Sequence, residues 1–219
     1  MSASIVLFDL DGTVSDSAPG ILASLRHAFE VNGIEPLDPV TEQQLLGPPF
    51  YESLPPIVGE DRLWSVIDAY RAYYADAMYR STAFPGIAGV LSALRRDGRR
   101  LAIATSKPEH YAVPIVEHLG LAEHFETIGG DDLDGSLPTK AMVIAKVLAR
   151  LGEPDRTEVI MVGDRSHDVI GAREHGIDCV GVGWGYALPG ELEAARPLGI
   201  CHTPMDLATT LGVSLGASC

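Results

Sequence analysis

The sequence predicts an α/β protein built on a doubly wound parallel sheet, with a helical domain inserted after the first strand. Three observations carry this expectation. The apolar run from Ile5 to Phe8 is bounded by turn chemistry and ends in two acids, Asp9 and Asp11. From Phe84 onward, short apolar runs alternate with helical patterns, which implies right-handed crossovers and parallel strands. Polar residues stand at the carboxyl ends of those strands, where such sheets bind ligands: Asp9 and Asp11 after the first, Thr105 after the second, Asp164 after the fourth.

In chain order, Ile5 to Phe8 is too short for a helix and reads as a buried strand. Asp9 and Asp11, two residues apart on an extended chain, are expected to point the same way, and Gly12 lets the backbone leave sharply. At an effective dielectric of about 20, two carboxylates about 4 Å apart repel by roughly 4 kcal/mol. An ionised pair therefore calls for a cation, a shared proton or a nearby Lys, unless the acids are simply solvated at an Asp-Gly turn.

Residues 17–32 carry a helical stripe of Ile21, Leu22, Leu25, Ala28 and Phe29, with Ser17 as N-cap, Pro19 in the first turn and Asn32-Gly33 as the stop. A short helix is expected over 41–46, broken by Gly47-Pro48-Pro49, and one more turn over 50–54, ended by Pro55-Pro56. That Gly-Pro-Pro-Phe loop either presents amides and Phe50 to a substrate or only breaks the helix. Residues 60–80 read as a longer helix in which Tyr70, Tyr73, Tyr74 and Tyr79 are packing residues.

Further on, 86–97 and 109–119 are expected helices, 101–104 and 125–128 strands, and Pro138-Thr139 leads into a helix over 140–151. A strand over 158–162, a helix over 168–175 and a fifth strand over 179–182 complete the pattern. The division is residues 1–16 and 84–219 as an α/β catalytic core and 17–83 as a helical cap above the same sheet edge.

With 219 residues and 46% hydrophobic content the chain can bury a sizeable core. A net charge of −14 disfavours nucleic-acid polymers, which require a basic face. Cys179, Cys201 and Cys219 have no metal-ligand spacing and read as inert thiols of a reducing compartment. No signal-like start and no apolar run of about 20 residues is present, so no membrane is expected and the location is expected to be cytoplasmic.

Asp9-Leu10-Asp11-Gly12-Thr13 resembles the first motif of the haloacid dehalogenase (HAD) superfamily. Thr105 matches its second motif, Lys140 at a helix start its third, and Gly163-Asp164 with Asp168 its fourth, in order and over nearly the whole chain. The resemblance implies a Rossmann-like core, Mg2+ as cofactor and phosphoryl transfer. Asp9 would be the nucleophile forming an aspartyl phosphate. Asp11 would be the general acid and base, which needs a pKa raised by neighbouring carboxylates. Asp9, Asp164 and Asp168, with Asp11 through its backbone carbonyl, would form the metal site. Asp168 would hold a metal water or orient Lys140. Lys140, the Thr105 hydroxyl and the Ser106 amide would stabilise the transferring group, and Lys107 and Arg165 are candidates to contact substrate. His167 is either a further candidate to contact substrate or a hydrogen-bonded surface group, and Asp131 and Asp132, within reach of the site, read as loop acids.

The helical cap between the first two motifs is similar to the phosphoglycolate phosphatase and 5′-nucleotidase-like group. Asp11 argues against the dehalogenase branch, and Gly12-Thr13 against the hexose phosphomutases. Gly47-Pro48-Pro49, the 163–169 segment and Gly183-Trp184-Gly185-Tyr186 are also similar to a bacterial branch that includes a protein-tyrosine kinase. The expected partner is a small phosphorylated metabolite. A protein substrate and a non-catalytic regulatory role are the alternatives.

Overall fold

The structure, a computed structural model, describes residues 3–133, 135–137 and 139–215. The expectations for Pro138 and Cys219 fall outside them. The order is β1 (Ile5–Phe8), β2 (Ser15–Asp16), α1 (Ala18–Val31), α2 (Pro39–Gln44), α3 (Phe50–Ser53), α4 (Pro55–Val58), α5 (Leu63–Ala77), β3 (Thr82–Ala83), α6 (Ile87–Arg96) and β4 (Arg100–Pro108). It continues with α7 (Glu109–His118), β5 (Thr127–Asp131), α8 (Lys140–Arg150), β6 (Val159–Gly163), α9 (Ser166–Glu174), β7 (Asp178–Val182), α10 (Glu191–Ala195), β8 (Gly199–Cys201) and α11 (Pro204–Thr210).

Six parallel strands form the main sheet in the order β5-β4-β1-β6-β7-β8. β1 is central, and the chain winds to one side through β4 and to the other through β6. The switch point therefore falls at the carboxyl end of β1, where Asp9 stands. Both faces of the sheet are covered, which explains why the strands read as continuous apolar runs. Val6 and Phe8 pack into one cluster with Leu101, Ile103, Ile160 and Val162, whereas Ile5 and Leu7 join Val143, Ile144 and Val147 of α8 on the other face.

The helical segment leaves and re-enters the core through β2 and β3, which pair antiparallel as Ser15 with Ala83 and Asp16 with Thr82. Within it α1 packs against α5, burying Ile21, Leu25, Ala28 and Phe29 against Val66, Ile67, Tyr70 and Tyr74. Gly20 is what lets them close, because a Cβ there would lie 2.4 Å from the Ala77 carbonyl oxygen.

The structure corrects several local expectations. The turn over 50–54 ends before Pro55 as expected, with Leu54 capping α3, and Pro55 also opens α4, an additional helix, where its missing N–H costs nothing. Ser17 makes no side-chain cap; the first N–H groups of α1 go to the Tyr186 hydroxyl. Tyr79 is 45% exposed, against the side of His118, and is not core. A sixth strand, β8, was not expected from its three residues, which are too few to show a period.

Gly20→Ala should lower unfolding free energy by about 1–3 kcal/mol through overpacking. Denaturant titration measures the loss, and hydrogen exchange should rise in α1 and α5 before the sheet; an unchanged midpoint would sink the account.

Candidate active site

Alternation along β1 directs Asp9 toward α8. The parity that sends Ile5 and Leu7 to the α8 face carries on to Asp9, which meets Lys140 in the first turn of α8, Nζ to Oδ1 2.7 Å. Lys140 also pairs with Asp168 Oδ1 at 2.8 Å and donates to the Ala104 carbonyl at 3.0 Å. Asp168 comes from α9, where its Oδ2 accepts from the Arg165 N–H as half of a capping box.

Asp164 follows β6 and is fully buried. Its Oδ1 accepts from the Thr13 hydroxyl at 3.0 Å and its Oδ2 from the Tyr186 N–H at 2.7 Å. Gly12 permits this approach: its φ is +84°, and a Cβ would lie 2.2 Å from an Asp164 oxygen. The same turn separates the two acids of the first motif. Asp11 lies in the same cleft as Asp9 but takes a different cation, because residues 10–15 fold into a turn on the Leu10 carbonyl. Asp11 Oδ2 instead pairs with Lys107 at 2.8 Å, and its Oδ1 is buried with no hydrogen-bond partner among the described residues.

Asp9, Asp164 and Asp168 each offer an oxygen within 4.8 Å of the others, and all three are buried. Lys140 pairs with two of these three carboxylates, Asp9 and Asp168. Burial pushes the Asp9 carboxyl up to about 6, with Asp168 and Asp11 adding to the rise and Lys140 opposing it. Asp164 is pushed up further by burial, then by Asp9 and Asp168. Burial works against the charge of Lys140, yet Asp168 and Asp9 hold its pKa above the ordinary lysine value. Excess buried negative charge and an all-oxygen donor set fit a hard divalent cation.

Thr105 ends the regular part of β4; its hydroxyl is buried and accepts from the Lys107 N–H at 3.2 Å. A cleft of about 20 Å3 brings Asp9, Asp11, Thr105, Ser106, Lys107, Lys140, Arg165, His167 and Asp168 together, and of the two readings of His167 this placement fits the candidate at the site. Arg165 and Lys107 have protein partners. Arg165 pairs with Glu191 at 2.9 Å and donates to the Leu46 carbonyl of the helical segment. Lys107 donates to the Tyr74 hydroxyl of α5 at 2.8 Å. Asp131 is also buried, accepting from the Tyr51 hydroxyl at 3.0 Å, and differs from the loop acid expected there. Asp132 is exposed and pairs with Lys146.

Sequence reasoning assigned no role to Thr13, Glu191 or Tyr186. Tyr186 touches both the site and the hinge: its N–H binds Asp164, and its hydroxyl donates to Asp16 while accepting from the Ser17 and Ala18 N–H groups. The signal lay in Gly185, where a Cβ would lie 2.4 Å from Asp164. Glu191 accepts from Arg165, Ser166 and Leu188 and so steadies the start of α9.

Residues 6–182 match the family described as haloacid dehalogenase-like hydrolase. The chain is 42% identical over 215 residues to the tyrosine-protein kinase PtkA of Mycobacterium tuberculosis, covering 97% of this chain and 74% of that protein. A solved structure of that kinase matches with a TM-score of 0.85, covering 97% of this chain and 99% of that one. The chain is 36% identical over 199 residues to a 5′-nucleotidase of Pseudomonas aeruginosa, covering 90% of each. It is 34% identical over 195 residues to a phosphoglycolate phosphatase of Chromobacterium violaceum, covering 83% of this chain and 86% of that one.

Burial opposes the charge of Glu191, but Arg165 and two backbone N–H groups lower its pKa from 4.5 to about 2. A depressed carboxyl stabilises the fold above its unfolded pKa and loses that contribution as pH falls toward the folded value. Glu191→Gln should therefore be less stable than the parent at pH 7, and the gap should close as pH drops from about 4.5 toward 2. Urea unfolding of both proteins across that range reads it, and a pH-independent gap would contradict it.

Proposed function

The chain belongs to the haloacid dehalogenase-like hydrolase family, and from that premise we propose that it is a Mg2+-dependent phosphatase hydrolysing a small phosphomonoester through an aspartyl phosphate on Asp9. The observation that carries this reading is the buried cluster of Asp9, Asp164 and Asp168 around Lys140, beside an Asp11 with one unpartnered oxygen. The enzyme class follows from the family and its phosphatase-named relatives.

Asp9, Asp164 and Asp168, with the Asp11 carbonyl, would hold the ion. When bound it neutralises phosphate charge and orients the ester for in-line attack. Asp9 attacks phosphorus as the P–O bond to the alcohol breaks, and Asp11 delivers a proton to the departing oxygen. Water then attacks the aspartyl phosphate, Asp11 takes its proton, and Asp9 is released with inorganic phosphate. Lys140 holds the Asp9 carboxylate through Oδ1 at 2.7 Å and offers the remaining charge to the phosphoryl oxygens, with the Thr105 hydroxyl beside it. Lys107 keeps Asp11 in place and leaves Oδ1 available for the leaving oxygen.

Phosphotransfer to protein tyrosine is the second reading, favoured by the 42% identity to a tyrosine-protein kinase. Against it stand contacts that close the helical segment over the core: Lys107 to Tyr74, Arg165 to the Leu46 carbonyl and Tyr51 to Asp131. Transfer of label from a nucleotide to a protein, with no phosphate release from small esters, would replace the first reading by this one.

With purified protein and Mg2+, phosphate release from a panel of phosphoglycolate, 5′-nucleotides and sugar phosphates should be detected, and Asp9→Asn should abolish it. Chelation should silence the enzyme and Mg2+ restore it; activity that survives exhaustive chelation would reject the metal role. Lys140→Met should cut kcat on the order of 10²–10³-fold, the range for losing one electrostatic stabiliser. A kcat within a factor of two of the parent would remove Lys140 from the chemistry.

A further inference from the structure

Beside the catalytic cleft lies a second cavity of about 110 Å3, which shares Asp11, Gly47, Ser106 and Lys107 with it. One wall is α5. At 100° per residue, Trp64, Ile67, Arg71 and Tyr74 fall within about 80° of one another, a single stripe facing the cavity. Tyr74 marks the inner end, its hydroxyl bonded to the Lys107 that holds Asp11. Trp64 marks the outer end and is 55% exposed, an unusual place for an indole. Ten residues at 1.5 Å each set these ends about 15 Å apart.

The chemistry of the walls is as distinctive as their length. Phe50, Tyr51, Tyr70 and Tyr111 add aromatic rings to the lining, and Asp131 and Asp132 add acids to it. The inner cation, Lys107, is already neutralised by Asp11. The outer one, Arg71, donates to the Leu133 carbonyl and has no carboxylate within ion-pair distance among the described residues. A leaving group that is itself a small acid would place its carboxylate among rings beside a spent lysine, an unfavourable desolvation. With two carbons at about 1.5 Å per bond, it would also stop far short of Arg71 and Trp64.

We propose that this cavity receives the leaving group of the substrate, and that this group carries a planar aromatic system stacked on Trp64 and edged by Arg71. An indole offers the best π face for stacking, and a guanidinium both stacks on rings and donates to ring heteroatoms. Trp64 and Arg71 are then specificity-determining residues. The inference rests on the phosphatase reading for the position of the phosphoryl group, and it narrows that reading to esters of nucleosides, because a ring joined directly to the ester oxygen would stop as short of Trp64 as a two-carbon acid does.

The test compares kcat/KM for adenosine 5′-monophosphate, phenyl phosphate, phosphoglycolate and glycerol 3-phosphate in the parent, Trp64→Ala and Arg71→Ala. The nucleotide should exceed the others by about tenfold or more, and Trp64→Ala should cost it about 10- to 100-fold, the usual scale for losing a stacking platform, while leaving glycerol 3-phosphate unchanged. A lead for phenyl phosphate, whose ring lies too close to phosphorus to reach Trp64, overturns the assignment. Preference for phosphoglycolate, or an equal loss on all four esters in Trp64→Ala, overturns it.

Binding is read separately in Asp9→Asn, where adenosine 5′-monophosphate should quench indole fluorescence, and the quench should vanish in Asp9→Asn/Trp64→Phe. Quenching without phosphate release by the parent enzyme would reject hydrolysis and keep the cavity assignment. Phosphate release without quenching or nucleotide preference would do the opposite.

Discussion

The rest of this structure depends on an electrostatic constraint: three carboxylates are buried around one lysine at the carboxyl end of the central strand. Isolated buried carboxylates are unfavourable, and removing one partner of a buried ion pair typically costs about 3–5 kcal/mol. The surroundings are arranged to hold the charges regardless. Thr13 and the Tyr186 N–H bind the two oxygens of Asp164, the Arg165 N–H binds Asp168, and Lys140 spans Asp9 and Asp168. The folded sheet imposes this arrangement, since only burial of β1, β6 and α8 brings the groups together. That excess of negative charge is the feature of the site that a divalent cation would fit.

A second set of contacts ties the helical segment to that centre. Lys107 is held by Asp11 on the core side and by the hydroxyl of Tyr74 on α5, with its ammonium also 4.8 Å from the centroid of the Tyr74 ring. Arg165 reaches the Leu46 carbonyl, and Tyr51 reaches Asp131. At the hinge, Tyr186 links Asp164 to Asp16 and to the start of α1. Residues of the helical segment therefore contact the same side chains that stand at the carboxyl end of the sheet, so a shift of the helical segment would disturb Lys107 and the Tyr186 contacts.

Some local features were legible because their signal is local. Gly12 marked the sharp exit from β1, and the alternation of apolar runs with helical stripes marked the parallel sheet. Other features had no local signal. β8 is three residues long, Pro55 reads equally as a stop or a start, and Ser17 looks like a cap although the Tyr186 hydroxyl takes its place. The parting of Asp9 and Asp11 was hidden for a similar reason: residue parity holds only while the chain stays extended, and it stops being extended after Phe8.

By itself the sequence determined which residue types end the strands and open the following helices, and in what order: Asp9 and Asp11, Thr105, Lys140, then Asp164 and Asp168. Parallel strand patterns with carboxylates at their ends point to a ligand site at that edge, and the class of chemistry came from the family resemblance that this order carries. The tertiary structure alone decided the partners: Lys107 for Asp11, Glu191 and a carbonyl of the helical segment for Arg165, Tyr51 for Asp131, and the stripe from Tyr74 to Trp64 that walls the cavity. These pairs join residues up to 119 positions apart. Contacts at that range are set by how the helical segment packs on the sheet, a long-range property that no spacing or local pattern encodes.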